Sequence, residues 1–232
     1  MRGSAAAPRL SRSVRGQTDE VKERSDDGAV LRSWSGRSRN PAAITLVLHG
    51  GDGGSNTARV SALWAPLLRM YLLTPQIRRA VPHQLTVGLQ NAVKGWNGGG
   101  DPVRDARWAL TRLTQRHPGV PVVLVGHSMG GRVATHFLED PAVVGFVGLA
   151  PWLDNVSAVP DLTGTRVTLV HGTADRTTSP AATERWGERA ERLTPGSTRW
   201  HPLPGGTHPM LKPLLPWGRL ARDGIRWALD GS

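Results

Sequence analysis

Gly126-His127-Ser128-Met129-Gly130 sets a serine between glycines directly after the apolar run Val122 to Val125. A hydroxyl is a weak nucleophile until a base takes its proton, and a sharp turn from a strand into a helix would lift Ser128 above the carboxyl edge of a sheet. Glycines at 126, 130 and 131 suit such a turn, because a strained backbone and a closely packed helix leave no room for side chains. Downstream, Val167 to His171 reads as a buried strand that opens into a polar loop ending in Asp175. Further on, Gly205-Gly206-Thr207-His208-Pro209 offers a histidine among flexible residues. Nucleophile Ser128, orienting acid Asp175 and general base His208 thus occur in the chain order serine, acid, histidine. His201 is the competing base, but it lies inside the strand-like segment Thr198 to Pro202 and reads as structural. Ser179 before Pro180 is better placed than Asp175 to cap the following helix.

Acyl transfer also needs donors for an oxyanion, and the N–H groups of Met129 and Gly51 occupy the expected places, one after the nucleophile and one in a Gly-rich loop after a strand. His49 and His127 flank the site and read as hydrogen-bonding to loop backbone. The run His49-Gly50-Gly51-Asp52-Gly53-Gly54 lacks both the G-K-[ST] ending of a phosphate-binding loop and the spacing of a dinucleotide fingerprint. No clustered His/Asp set suggests a metal, so no metal and no cofactor is expected.

These residues need a scaffold. Strand patterns at Val30–Ser35 (an edge), Ala43–Leu48, Leu85–Leu89, Val122–Val125, Val143–Ala150, Arg166–His171 and Thr198–Pro202 alternate with helical patterns. The helices are expected over about 55–73, 102–116, 130–139, 180–193 and 214–229. Such alternation predicts an α/β domain with a mostly parallel sheet covered on both faces. Residues 1–28 have hardly any large apolar side chain and are expected to be disordered, leaving 29–232 as a single domain.

The chain resembles the α/β-hydrolase superfamily over roughly Ala29 to Leu229. More narrowly it is similar to small actinobacterial α/β-hydrolases and dienelactone-hydrolase-like esterases. That narrower likeness rests on Lys94-Gly95-Trp96-Asn97-Gly98, Asp105-Ala106-Arg107-Trp108-Ala109-Leu110, Val125 to Arg132 and Leu149-Ala150-Pro151-Trp152-Leu153. The resemblance implies a serine hydrolase acting on carboxylic esters through an acyl-enzyme on Ser128. A thioesterase or an acyltransferase would use the same residues, and a noncatalytic binding protein on the same fold is the contrasting class. Where lid-bearing relatives insert a cap, this chain has only Asp154 to Thr165, so the expected architecture has a minimal lid or none. Short to medium acyl chains are expected, with Trp96, Trp152 and Met210 as candidate substrate contacts. Trp108, Trp186 and Trp227 fall in helical patterns, where packing is the default.

Bulk properties narrow the classes further. Cysteine is absent, which excludes disulfides, thiolate metal sites and cysteine nucleophiles. The net charge of +11 would favour anionic partners, but the basic residues are scattered singly, without the run or stripe of a specific nucleic-acid binder. No apolar run is long enough to span a bilayer, and no stretch near the start has the form of a secretory signal. A small-molecule ester or thioester as partner, no membrane insertion and a cytoplasmic location are the expectations that follow.

Overall fold

Strands buried on both faces must be apolar along their whole length, and Ala43-Ile-Thr-Leu-Val-Leu48 meets that demand: every residue of it is buried. In the computed structural model, which describes residues 22–34, 40–154 and 157–230, this segment is β3 of an eight-stranded sheet. The others are β1 (Lys22–Arg24), β2 (Val30–Ser33), β4 (Gln84–Gln90), β5 (Val122–His127), β6 (Val143–Leu149), β7 (Arg166–Gly172) and β8 (Thr198–Leu203). They lie in the order β1-β2-β4-β3-β5-β6-β7-β8. From β4 to β8 all neighbours are parallel, whereas β1 and β2 join antiparallel at one side.

Five helices, α1 (Ala65–Ile77), α2 (Gly100–Arg116), α3 (Met129–Ala134), α4 (Pro180–Leu193) and α5 (Leu214–Leu229), cover the two faces. Because strand side chains alternate, Leu46 and Leu124 join a core with Ala106, Leu110, Val133 and Trp186 of α2, α3 and α4. Val47 and Val125 point the other way, onto Met70, Leu73, Trp217 and Ile225 of α1 and α5. The start of α4 was legible: Pro180 stands in its first turn, and the Ser179 hydroxyl accepts the Ala182 N–H at 3.2 Å. The described part of the connection between β6 and β7 contains no helix. It is tied down on α4, where Trp186 Nε1 donates to Ala158 O at 3.0 Å and Arg189 to Ser157 O at 2.8 Å. Among the described residues no helix is long and apolar enough to cross a membrane.

Three expectations need correction. The helix expected from residue 55 begins at Ala65. The preceding loop is held extended by bridges between Asp52 and Gly95 and between Arg59 and Val93. Asn97 Oδ1 also accepts the Asn56 N–H at 2.8 Å. The strand at Val30 is not an edge, because β1 pairs outside it. Disorder to residue 28 therefore fails for Lys22–Gly28: Glu23 bridges Arg112 at 2.9 Å and also Arg116, both on α2. This stretch is fixed by backbone pairing and ion pairs, which a search for large apolar residues misses. Residues 1–21 and Ser35 lie outside the described residues.

Candidate active site

The parallel strands β3 to β8 all end at one edge of the sheet, and the sequence-predicted residues meet there. Ser128 follows β5 with φ 53° and ψ −118°, a strained conformation for a residue with a side chain. Its surroundings leave little choice. A Cβ on Gly126 would stand 2.5 Å from Gly130 O, and one on Gly130 would stand 2.3 Å from Leu48 O, so the turn closes only with glycine at both places. The Ser128 carbonyl accepts the N–H groups of Gly131, Arg132 and Trp152, which fixes the turn against α3 and the end of β6.

Ser128 Oγ lies 3.1 Å from His208 Nε2, and His208 Nδ1 lies 2.8 Å from Asp175 Oδ2. Ser128, Asp175 and His208 are all buried. His201 stays in β8 and takes no part. The environment of Asp175 goes beyond what the sequence suggested. Its Oδ1 accepts the N–H groups of Thr177 at 2.7 Å and Thr178 at 3.1 Å. Its Oδ2 also receives Thr178 Oγ1 at 3.0 Å and His171 Nε2 at 3.1 Å. Burial works against the charge, but the hydrogen bonds from His171, His208 and the Thr177 N–H outweigh it and hold the carboxyl well below the usual carboxylate range. His171 is fully buried, and its Nδ1 faces Thr183 Oγ1 at 2.9 Å. His171 and Thr178 are the functional candidates that sequence reading missed. Their only signal was position, four residues before and three after the acid.

Two further histidines frame the site, and both are kept neutral. His49 Nδ1 donates to Gly50 O at 2.6 Å while its Nε2 accepts the Asn91 N–H at 3.1 Å. Burial lowers its pKa to about 4. His127 Nε2 donates to the backbone O of His208 at 3.0 Å, and its ring lies 4.8 Å from the His208 ring. Its Nδ1 is buried without a partner against Gly50, so a proton there would find no acceptor. Burial first, then the neighbouring His208, lowers its pKa to about 3. The expectation that both histidines hydrogen-bond loop backbone holds.

Gly51 and Met129 are brought together: a Cβ on Gly51 would meet Met129 Cε at 2.4 Å and Lys94 O at 2.7 Å. Neither backbone N–H has an acceptor among the described residues: Met129 opens α3, whose first amides have no partner within the helix, and Gly51 lies in the loop after β3. Trp96 and Trp152 also come together, with ring centroids 5.7 Å apart, and a Cβ on Gly53 would stand 3.6 Å from Trp152. Both indoles pack on the Arg132 guanidinium, at 5.0 and 4.4 Å, and Arg132 pairs with Asp154 at 2.8 Å. Met210 does not belong here. It is buried in the core with Val170, Leu203 and Trp217, because its left-handed backbone (φ 59°) turns the side chain inward.

A family model described as serine aminopeptidase, S33, matches residues 87–163, about a third of the chain and including Ser128. No protein of curated function matches by sequence. Among solved structures, the chain is similar to XC6422 from Xanthomonas campestris, an α/β serine hydrolase without a lid, with a TM-score of 0.70 at 13% identity. That match covers 96% of this chain and 100% of the other. It is also similar to ATU1826 from Agrobacterium tumefaciens, a putative α/β hydrolase, with a TM-score of 0.72 at 19% identity over 92% and 97% of the two chains. The fold is that of the α/β-hydrolase superfamily. A third neighbour on this fold is Est1E from Butyrivibrio proteoclasticus with ferulic acid bound, with a TM-score of 0.62 at 13% identity over 89% and 98% of the two chains. On the superfamily's fold, the turn at Ser128 and the loops carrying Asp175 and His208 all lie at the carboxyl edge of the sheet, where the side chains of different strands converge.

Proposed function

We propose that this α/β-hydrolase-fold protein cleaves carboxylic esters through an acyl-enzyme on Ser128. The observation that carries the reading is the relay from Ser128 Oγ to His208 Nε2 at 3.1 Å and from His208 Nδ1 to Asp175 Oδ2 at 2.8 Å. His208 Nε2 takes the hydroxyl proton as Ser128 Oγ attacks the ester carbonyl. The carbonyl oxygen becomes an oxyanion, and the N–H groups of Met129 and Gly51 donate to it. The intermediate collapses, the C–O bond to the alcohol breaks, and His208 returns the proton to the leaving alkoxide. Water, deprotonated by the same imidazole, then releases the acid and restores Ser128. Asp175, held ionised by its donors, fixes the His208 tautomer with Nε2 bare and stabilises the imidazolium that forms. His171 and Thr178 are positioning residues that hold the carboxylate.

Substrate range follows from what surrounds the serine. The described part of the Asp154–Thr165 connection is strapped to α4 and offers no helix to cover an acyl chain. Trp152 beside Gly53 gives a short apolar wall, and each methylene buried adds about 0.8 kcal/mol, so selectivity for long acyl chains has little surface to draw on. Esters of short to medium acyl chains fit this site. The test is kcat/KM on p-nitrophenyl esters of increasing chain length, beside CoA thioesters, for the parent and for Ser128→Ala. The reading predicts ester turnover that peaks at short to medium chains and falls by about three orders of magnitude or more in the variant. A folded Ser128→Ala protein that keeps most of its turnover would contradict it, and preference for the thioesters would reassign the leaving group.

A further inference from the structure

We propose that the protein docks on anionic lipid surfaces through the outer face of α1 and α5, beside the mouth of the active site. Six large apolar side chains are exposed among the described residues, and five of them come from two short segments. They are Leu63 (81%), Leu68 (39%), Leu72 (49%), Leu211 (50%) and Leu215 (55%). Single exposed leucines need no explanation, but a concentration of this kind marks an interaction surface.

The two segments are neighbours in space. A Cβ on Gly218 of α5 would stand 2.9 Å from Gln76 of α1, and farther along α5 Arg226 donates at 2.6 Å to the O of Ala80, three residues past the end of α1. The helices therefore run in the same direction. One turn toward the N-terminus from the Gly218–Gln76 contact brings Leu215 beside Leu72. Leu68 lies one turn farther along α1, and Leu211 and Leu63 precede the two helices. Since α1 follows β3 and α5 follows β8, this end of both helices lies at the carboxyl edge of the sheet. Ser128 is at that edge, and Leu211 is three residues after His208.

Charge selects the occupant. No Asp or Glu occurs between Gly53 and Gly100, nor between Arg192 and Arg222. The exposed or half-exposed charges within and just beyond the leucines, Arg69, Lys212 and Arg219, are all cationic. Leucines flanked by cations, with the nearest acid on α5 being Asp223, two turns past Leu215 and paired with Arg222, match an interface that offers acyl chains beneath anionic headgroups. A second copy of this face would bring cation against cation, and a nucleic acid would gain nothing from the leucines.

The test is sedimentation of the full chain with phosphatidylglycerol vesicles, compared with phosphatidylcholine vesicles. Parent, Leu68→Ser/Leu72→Ser/Leu215→Ser and Lys212→Glu/Arg219→Glu proteins are compared, each checked for folding by its melting temperature. The proposal predicts that the parent binds the anionic vesicles and is released by salt. The triple leucine variant should partition at least about tenfold less, from the apolar area removed, and still hydrolyse a soluble short-chain ester as the parent does. The charge-reversed protein should bind weakly to both lipids and serves if the leucine variant fails to fold. Failure to bind phosphatidylglycerol, equal binding to phosphatidylcholine, or binding unchanged in the leucine variant would overturn the proposal. So would a parent dimer that the leucine variant converts to monomer, since a second copy would then be the occupant. Because binding is also read on Ser128→Ala, the outcome does not depend on the hydrolytic reading.

Discussion

Lowering the pH from about 7 to about 5 should destabilise this fold through His127 and His49, and replacing His127 should remove a defined part of that loss. Both side chains are buried, with pKa values lowered from 6.5 to about 3 and about 4. In the unfolded chain each takes up a proton as the pH falls through 6.5, whereas in the folded chain each stays neutral until far lower. The unfolded state then binds more protons, and stability falls on acidification. Each histidine accounts for a loss of about 2 kcal/mol between about pH 7 and pH 5. Asp105 opposes them. It is buried on α2 with its pKa raised to about 6, and it regains about 1 kcal/mol as it is protonated over the same interval. The net loss from the three groups is about 2–3 kcal/mol, a large share of a typical folding free energy. His127→Gln keeps a donor for His208 O but no longer titrates, so its loss over the interval should shrink by about 2 kcal/mol, whatever its stability at neutral pH. Urea unfolding followed by tryptophan fluorescence at the two pH values measures the difference. Equal losses in parent and variant would show that His127 is not held neutral by burial.

Asp105 Oδ2 accepts the Ala92 N–H at 2.8 Å, and Asp105→Asn retains an acceptor without a buried charge. Its stabilising effect should be about 1–3 kcal/mol at about pH 8, fade as the pH falls through about 6 and vanish near 4, as melting scans across that range would show. His171→Phe removes one donor to Asp175, and kcat should fall roughly tenfold with KM little changed, while His171→Gln restores much of it; a rise in KM alone would make His171 part of the binding surface instead. Deleting residues 1–28 removes β1 and its ion pairs to α2, so the melting temperature should drop, and an unchanged value would show that β1 contributes nothing.

Legibility in the sequence tracked local determinants. Ala43 to Leu48 and Val122 to Val125 were read correctly because strands buried on both faces must be apolar throughout, and α4 because Ser179 and Pro180 define its start locally. The turn at Ser128 was legible because the serine and its glycines stand together in one short motif directly after an apolar strand, although Gly130 answers to Leu48 O, far away in sequence. The loop from Gly51 to Trp64 was misread as partly helical because its conformation is set by Gly95, Val93 and Asn97, which lie far along the chain. β1 was missed for a similar reason: its partners are the backbone of β2 and arginines on α2. Met210 shows the same limit on the scale of one side chain. It was a candidate substrate contact, but with a left-handed backbone angle, which no sequence pattern announces, it packs in the core on Val170, Leu203 and Trp217. His171 could be seen in the sequence, but its hydrogen bond to Asp175 depends on how the loop after β7 folds back.

If Ser128 is a nucleophile activated by His208, a fluorophosphonate, which reacts with an activated serine hydroxyl, should mark it, and the intact mass and peptide map of the full chain after exposure read this out. One covalent adduct on Ser128 is expected, absent in Ser128→Ala and formed far more slowly in His208→Ala. A folded parent that takes up no label, or an adduct on a residue other than Ser128, would contradict it.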